Sequence, residues 1–294
     1  MRLLMLLVLA GCSRAIPTQL HPAGTPSTHD LLWDEPGPIV LESVVSATWQ
    51  VPLSGLLDLD DPAAAHFDSG PFPIVLPVHV LTHPDHGAFI VDTGVSQARA
   101  RGEKDVARGL IAQFVKNAVP VEPLGDILAR QDAPLAGVLL THTHLDHVLG
   151  LEDVPEGVPV YGGPGEGEAH GLKDSLVQPT IRRAFDGRSL QVWDVENGTP
   201  IGPVNSAIDV LGDGSLWAIS SPGHTQGSMA YLAFTTTGPA LFVGDTSHTQ
   251  WGWDNGVPPG TYTVDGEANR DSLMQLKALV DEHPSIAVFV GHEL

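Results

Sequence analysis

The stretch Gly137-Val138-Leu139-Leu140-Thr141-His142-Thr143-His144-Leu145-Asp146-His147 decides the reading of this chain. A short apolar run ends directly in three histidines and an aspartate packed into six residues. Such a run, bounded by turn signals, reads as a buried strand, and beyond its end the chain must turn. In a tight loop alternate residues converge on one point. His142 and His144 can therefore share one metal ion, while Asp146 and His147 point to a neighbouring position. A solvated histidine tail would lack both the buried strand in front and the interleaved aspartate. The chain holds 14 His, as many as Lys and Arg together, and unsupported ones such as His66 and His283 read as structural or surface residues.

Three later segments repeat one arrangement of apolar run, small residue and candidate ligand. Residues 216–220 lead to Ser221-Pro222-Gly223-His224-Thr225, residues 241–243 to Gly244-Asp245, and residues 286–290 to Gly291-His292. Each places a ligand at the C-terminal end of a strand, where glycine lets the backbone approach a crowded centre. Around them the pattern alternates. Residues 39–51 and 74–81 read as paired arms, and 88–91 as a short buried strand ending in the Asp92-Thr93-Gly94 turn. Residues 97–116 carry apolar side chains at helical spacing, 122–130 read as a second helix, and 269–282 as an amphipathic one. Further strands are expected at 158–161, 190–195 and 208–211. The order predicts an α+β protein with two packed sheets and helices outside.

The set HTHLDH, PGHT, GD and GH resembles the metallo-β-lactamase superfamily over residues 39–294, with the Asp92-Thr93-Gly94 turn and Gly150-Leu151 adding to the likeness. The resemblance implies an αββα four-layer sandwich. It implies one zinc held by His142, His144 and His224, a second held by Asp146, His147 and His292, and Asp245 bridging the two. A hydroxide between the metals would then attack a carbonyl carbon or phosphorus, with Asp146 passing the proton to the leaving group. The same ligands accept iron, manganese or cobalt. β-Lactamases of this fold typically lack the carboxylate bridge, whereas glyoxalase II, quorum-quenching lactonases, ribonuclease Z and several phosphodiesterases have it. Residues 153–171 resemble the segment after the metal motif in N-acyl homoserine lactonases, so ring opening of a lactone is the favoured activity. Those enzymes commonly carry a Tyr shortly after the bridging Asp; here Thr246, Ser247 and His248 follow, and His248 is the candidate donor to the substrate carbonyl. Trp251 and Trp253 are candidates for an apolar pocket wall, and Tyr262 for a further oxyanion donor. The alternatives are a glyoxalase II-like thioesterase, a β-lactamase or phosphodiesterase of the same fold, or a non-catalytic zinc-binding envelope lipoprotein.

Bulk composition narrows the classes. A net charge of −21, from 35 acidic and 14 basic residues, repels phosphate backbones and argues against a nucleic-acid partner. Arg182, Arg183 and Arg188 form the only candidate patch for the glutathione that a glyoxalase II would bind. The 32 Gly and 25 Pro point to many turns rather than a helical bundle. Met1-Arg2, the apolar run 3–10 and Leu9-Ala10-Gly11-Cys12 resemble a bacterial lipoprotein signal. That run is too short to span a bilayer. The likeness implies cleavage after residue 11, acylation of Cys12, a flexible tether over 12–37, a hydrolase domain over 38–294, and a place in the bacterial cell envelope. Cys12 is the only cysteine, so no disulfide forms within the chain.

Overall fold

The computed structural model describes residues 15–24, 31, 33–168 and 172–294. Cys12 and the signal-like segment lie outside the described residues. Among the described residues fourteen strands form two sheets. The first contains β1 (Thr18–His21), β2 (Val40–Pro52), β3 (Pro71–His83), β4 (Gly87–Val91), β5 (Val119–Pro120), β6 (Leu135–Leu139), β7 (Val160–Gly162) and β8 (Leu190–Trp193). The second contains β9 (Thr199–Ile201), β10 (Val204–Asp209), β11 (Leu216–Ser220), β12 (Met229–Thr235), β13 (Gly238–Gly244) and β14 (Ala287–Val290). Their spatial orders are β1-β8-β7-β6-β4-β3-β2-β5 and β14-β13-β12-β11-β10-β9.

Alternation along the strands divides the apolar residues among three layers of contact. On β4, Phe89 and Val91 face the second sheet with Leu139, while Ala88 and Ile90 face helices on the outer side with Val138 and Leu140. On β12, Met229, Tyr231 and Ala233 meet the first sheet, whereas Ala230, Leu232 and Phe234 meet the helix Gly266–Glu282. Central β12 is covered on both faces and buried throughout. This is the αββα four-layer sandwich that the family resemblance implied. Among the bonds that join the halves, the Tyr231 hydroxyl donates to the Leu140 carbonyl at 2.8 Å, and the Met229 amide to the Thr141 carbonyl at 2.8 Å.

Three local expectations change. Residues 97–116 form two short helices, Gln97–Ala100 and Gly109–Phe114, not one. Gly102 just past the first helix and Gly109 at the start of the second adopt φ of 69° and 57°, left-handed values that interrupt a continuous helix. Part of the expected tether is ordered: Thr18–His21 adds a parallel edge strand to β8, and Ile16 is buried. The helix Leu172–Phe185, which contains Pro179, carries too polar a pattern to announce itself.

Candidate metal centre

The chemistry-bearing residues meet at one pole of the sandwich, where loops leave the C-terminal ends of strands in both sheets. The loop after β6 delivers His142, His144, Asp146 and His147; the loops after β11, β13 and β14 deliver His224, Asp245 and His292. The last three come from one sheet and the first four from the other, so neither sheet alone builds the site.

Asp245 lies at the centre. Its Oδ2 is 3.6 Å from His142 Nε2, 3.4 Å from His147 Nε2 and 3.4 Å from His224 Nε2, while its Oδ1 is 3.4 Å from His292 Nε2. Asp146 Oδ2 is 3.5 Å from His292 Nε2. The donors group as His142, His144, His224 and Asp245, and as Asp146, His147 and His292, each set within 4.8 Å of one another. A Cβ on Gly291 would fall 2.2 Å from Asp245 Oδ1, so only glycine allows this approach.

The donor set fits metal cations on a direct test. His142 Nε2, His147 Nε2 and Asp245 Oδ1 are buried without a hydrogen-bond partner, a cost that a fold does not carry unless something satisfies those atoms. Burial holds the imidazoles of His142 and His224 well below the usual histidine range, and neighbouring histidines add to the effect. Neutral rings with free lone pairs are the form in which histidine ligates. Burial would lower His147 too, but the carboxylates of Asp92, Asp245 and Asp146 outweigh it and raise this ring. A cation in place of the proton answers the same negative field.

An outer ring of contacts fixes the ligands. Asp92 Oδ2 accepts from His147 Nδ1 at 2.8 Å and from the Thr141 hydroxyl at 2.9 Å, and its Oδ1 accepts from the Thr141 amide. His292 Nδ1 donates to the Val75 carbonyl at 2.9 Å. Each such bond sets which ring nitrogen is left facing the centre. Glu166, 5% exposed, was not foreseen as a functional group. Its Oε2 accepts from the Thr143 amide and hydroxyl, both at 2.7 Å, while its Oε1 accepts from the Gly227 amide at 3.2 Å and from the Thr225 hydroxyl. One carboxylate thus staples the loop of His142 and His144 to the loop of His224. Asp92, by sequence a turn residue, is the other group with such a role.

His248 reaches the site but faces a different way from expectation. Its Nδ1 bonds the Leu56 carbonyl at 3.0 Å, and its Nε2 lies 3.0 Å from Asp245 Oδ2. In the neutral ring that leaves a lone pair at Nε2, so donation from this atom requires the imidazolium. His248 also forms a ligand-like group with Asp245 and His292. Trp251 and Trp253 do not line the cavity over the metal centre: Trp253 is packed under the second sheet, and Trp251 stacks edge-on with Phe67. The walls come instead from Trp49, Val51, Leu56, Ile74 and Phe114. The cavity measures about 610 Å³, with His144, Asp146, His224, Asp245, His248 and His292 on its floor. Tyr262 also lines it, its ring seated where a Cβ on Gly55 would lie. Burial, then the charge of Asp146, pushes its phenol above the ordinary range.

Comparison with known proteins agrees with this architecture. The chain is 34% identical over 127 residues to gamma-lactamase MBL2 of Gibberella moniliformis, a match covering 39% of this chain and 50% of that protein. It thus spans half or less of the gamma-lactamases it matches. It is 26% identical over 227 residues to the N-acyl homoserine lactonase AttM of Rhizobium johnstonii, covering 76% of this chain and 83% of the relative. A solved N-acyl homoserine lactone hydrolase, with N-hexanoyl-L-homoserine at its catalytic metal centre, superposes with a TM-score of 0.63 at 18% identity, over 88% of this chain and 94% of the other. At that identity the likeness is one of fold. The metallo-beta-lactamase superfamily model matches residues 77–292, a span that begins in β3 and closes on the candidate ligand His292. The chain belongs to the metallo-beta-lactamase superfamily.

Proposed function

We propose that this protein is a metal-dependent hydrolase that holds two zinc ions and opens lactones or similar neutral esters with an apolar arm. One observation carries the substrate class: the cavity above the candidate ligands is walled by Trp49, Val51, Leu56, Ile74, Phe114 and Val177, and among the described residues neither Lys nor Arg lines it. Glutathione thioesters and phosphodiesters carry negative charge that such a wall leaves unpaired. A neutral ring with an acyl chain buries its apolar part there and presents its carbonyl to the floor. The AttM match, which spans most of both chains, supports the same choice.

In this reading His142, His144 and His224 hold one ion, Asp146, His147 and His292 the other, and Asp245 lies between them. Bound there, the ions supply Lewis acidity and bring the ionisation of a water close to neutral pH. The protein's own groups do the rest. Asp92, Val75 and Glu166 hold the ligand rings and loops in register, so little reorganisation accompanies the reaction. Ring opening adds water across the ester: the carbonyl carbon gains oxygen, its bond to the ring oxygen breaks, and that oxygen leaves needing a proton. Asp146, partly open to the cavity with a side chain 17% exposed, delivers it. Tyr262, kept protonated, donates to the carbonyl oxygen; His248 serves as a donor in its imidazolium form or as a further ligand beside Asp245. Acylation of Cys12 would place this chemistry at the bacterial cell envelope, which metabolic labelling with a fatty acid would test.

The decisive experiment is a panel of lactones, lactams, thioesters, phosphodiesters and simple esters on the zinc-loaded protein, with metal analysis alongside. Lactone turnover that rises with acyl length is expected. Two tightly held metals with no turnover of any substrate would replace the enzyme by a zinc-binding protein.

A further inference from the structure

The charge of this chain is distributed very unevenly. Residues 99–116 and 172–188 together hold nine of its 14 Lys and Arg but only four of its 35 Asp and Glu. These two segments meet in space. Arg183 Nε donates to the Val106 carbonyl at 2.8 Å, and the charge of Arg108 adds to burial in lowering the Arg183 guanidinium. Arg99 is consumed by an ion pair with Asp105, but Arg101, Lys104, Arg108, Lys116, Arg182 and Arg183 are exposed. The result is a basic island on an acidic protein.

The same two segments carry large apolar side chains out into solvent. Leu110 is 87% exposed, Leu176 72% and Phe114 58%. Leu110 and Phe114 stand four apart on the helix Gly109–Phe114, hence on one face. Phe114 and Val177, the neighbour of Leu176, line the cavity, as does Val264, which is 60% exposed. The exposed apolar residues therefore form a rim around the mouth of the cavity. Large apolar side chains exposed together around a cavity mouth mark a contact site rather than ordinary single exposure.

We propose that this rim docks on an anionic lipid bilayer, with the apolar side chains entering the interface and the basic island facing the headgroups. Apolar tips flanked by Lys and Arg are the composition that an anionic membrane surface binds. A second copy of this chain fits less well, because an isologous contact would bring the basic island against itself. Docked in this way, the cavity opens toward the phase in which amphiphilic molecules concentrate. The proposal concerns the rim alone and stands whatever ester the centre cleaves.

The lone cysteine makes the test site-specific. In the full chain carrying Cys12→Ala, a thiol introduced by Leu110→Cys takes an environment-sensitive dye, and Asp213→Cys provides a control in the β10–β11 turn, away from the rim. The labelled proteins are mixed with phosphatidylcholine vesicles containing or lacking phosphatidylglycerol. Docking predicts a blue shift at position 110 on the anionic vesicles, none at position 213, and weakening by salt. Replacing Arg108 and Arg182 by Gln should weaken binding about 25-fold, or about fivefold per basic residue. Vesicle binding with no shift at position 110 would assign the attachment to the N-terminal segment and overturn the proposal. A shift that grows with protein concentration without vesicles would give the rim to a second copy and overturn it equally.

Discussion

Replacing Glu166 by Gln tests whether the metal loops are held by one carboxylate. The side chain is buried and accepts four hydrogen bonds, two of them from the backbone amides of Thr143 and Gly227. An amide keeps the volume but turns one acceptor into a donor. The hydroxyls of Thr143 and Thr225 can rotate and accept instead; a backbone N–H cannot. The cheaper orientation points the new NH2 at Gly227, whose bond at 3.2 Å is the longer of the two backbone contacts. That choice leaves one buried N–H facing a donor and removes the charge from the remaining bonds. Together these cost about 2–4 kcal/mol. For a chain of this size that corresponds to a fall in Tm of roughly 5–10 °C. Because the staple joins the loop of His142 and His144 to that of His224, zinc affinity should also fall, by about tenfold or more. Differential scanning calorimetry on the zinc-loaded protein and competition with a chromogenic chelator measure the two effects. A variant that melts within about 1 °C of the parent and holds zinc equally well would refute the staple.

Asp245→Ala removes the carboxylate that lies within reach of both ligand sets, so mass spectrometry should find one metal where the parent holds two, with most of the activity gone. Tyr262→Phe should lower kcat about 10- to 100-fold with metal content unchanged if its hydroxyl donates to the carbonyl oxygen; an unchanged kcat would free Tyr262 from that role. Burial pushes His79 down to about 3, so below pH 6.5 the unfolded chain takes up a proton that the folded chain refuses. Each pH unit between about 6.5 and 3 then costs about 1.4 kcal/mol of stability at this residue. His79→Phe should flatten the fall of the urea midpoint on acidification by one proton's worth, and a profile parallel to the parent's would contradict it.

The strand-end ligands were legible because they are local: an apolar run, a small residue and a ligand lie within a few positions of each other at His142, His224, Asp245 and His292. The order of strands and helices pointed to two packed sheets with helices outside, and the four-layer arrangement came from the resemblance to the superfamily. What stayed hidden depends on partners distant in the chain. Glu166 bonds residues 23 to 61 positions away, and Asp92 reaches His147 across 55; a lone acidic residue in a turn gives no sign of either. Strand β1 forms only because β8 offers an edge, so the four residues Thr18–His21 carry no pattern of their own. The helical spacing in residues 97–116 was real, but the glycines within it break the run. For Trp251 and Trp253 the sequence showed bulk without direction, and direction decided their place.

In the proposed reading, the division of the candidate ligands between the two sheets would make bound cations a latch between two leaves. Each leaf has its own ladder of backbone bonds; across the seam stand the Leu139–Tyr231 apolar layer, polar bonds such as those of Tyr231, Met229, Glu166 and His292, and whatever occupies the centre. Withdrawing the metal leaves His142, His147 and Asp245 with buried unpaired atoms on both sides of that seam. The stripped protein should then loosen by parting the leaves near the pole before either sheet frays. Amide exchange would quicken first at the loop ends of β6, β11 and β13, and metal supply would govern how long the folded chain endures as well as whether it can react.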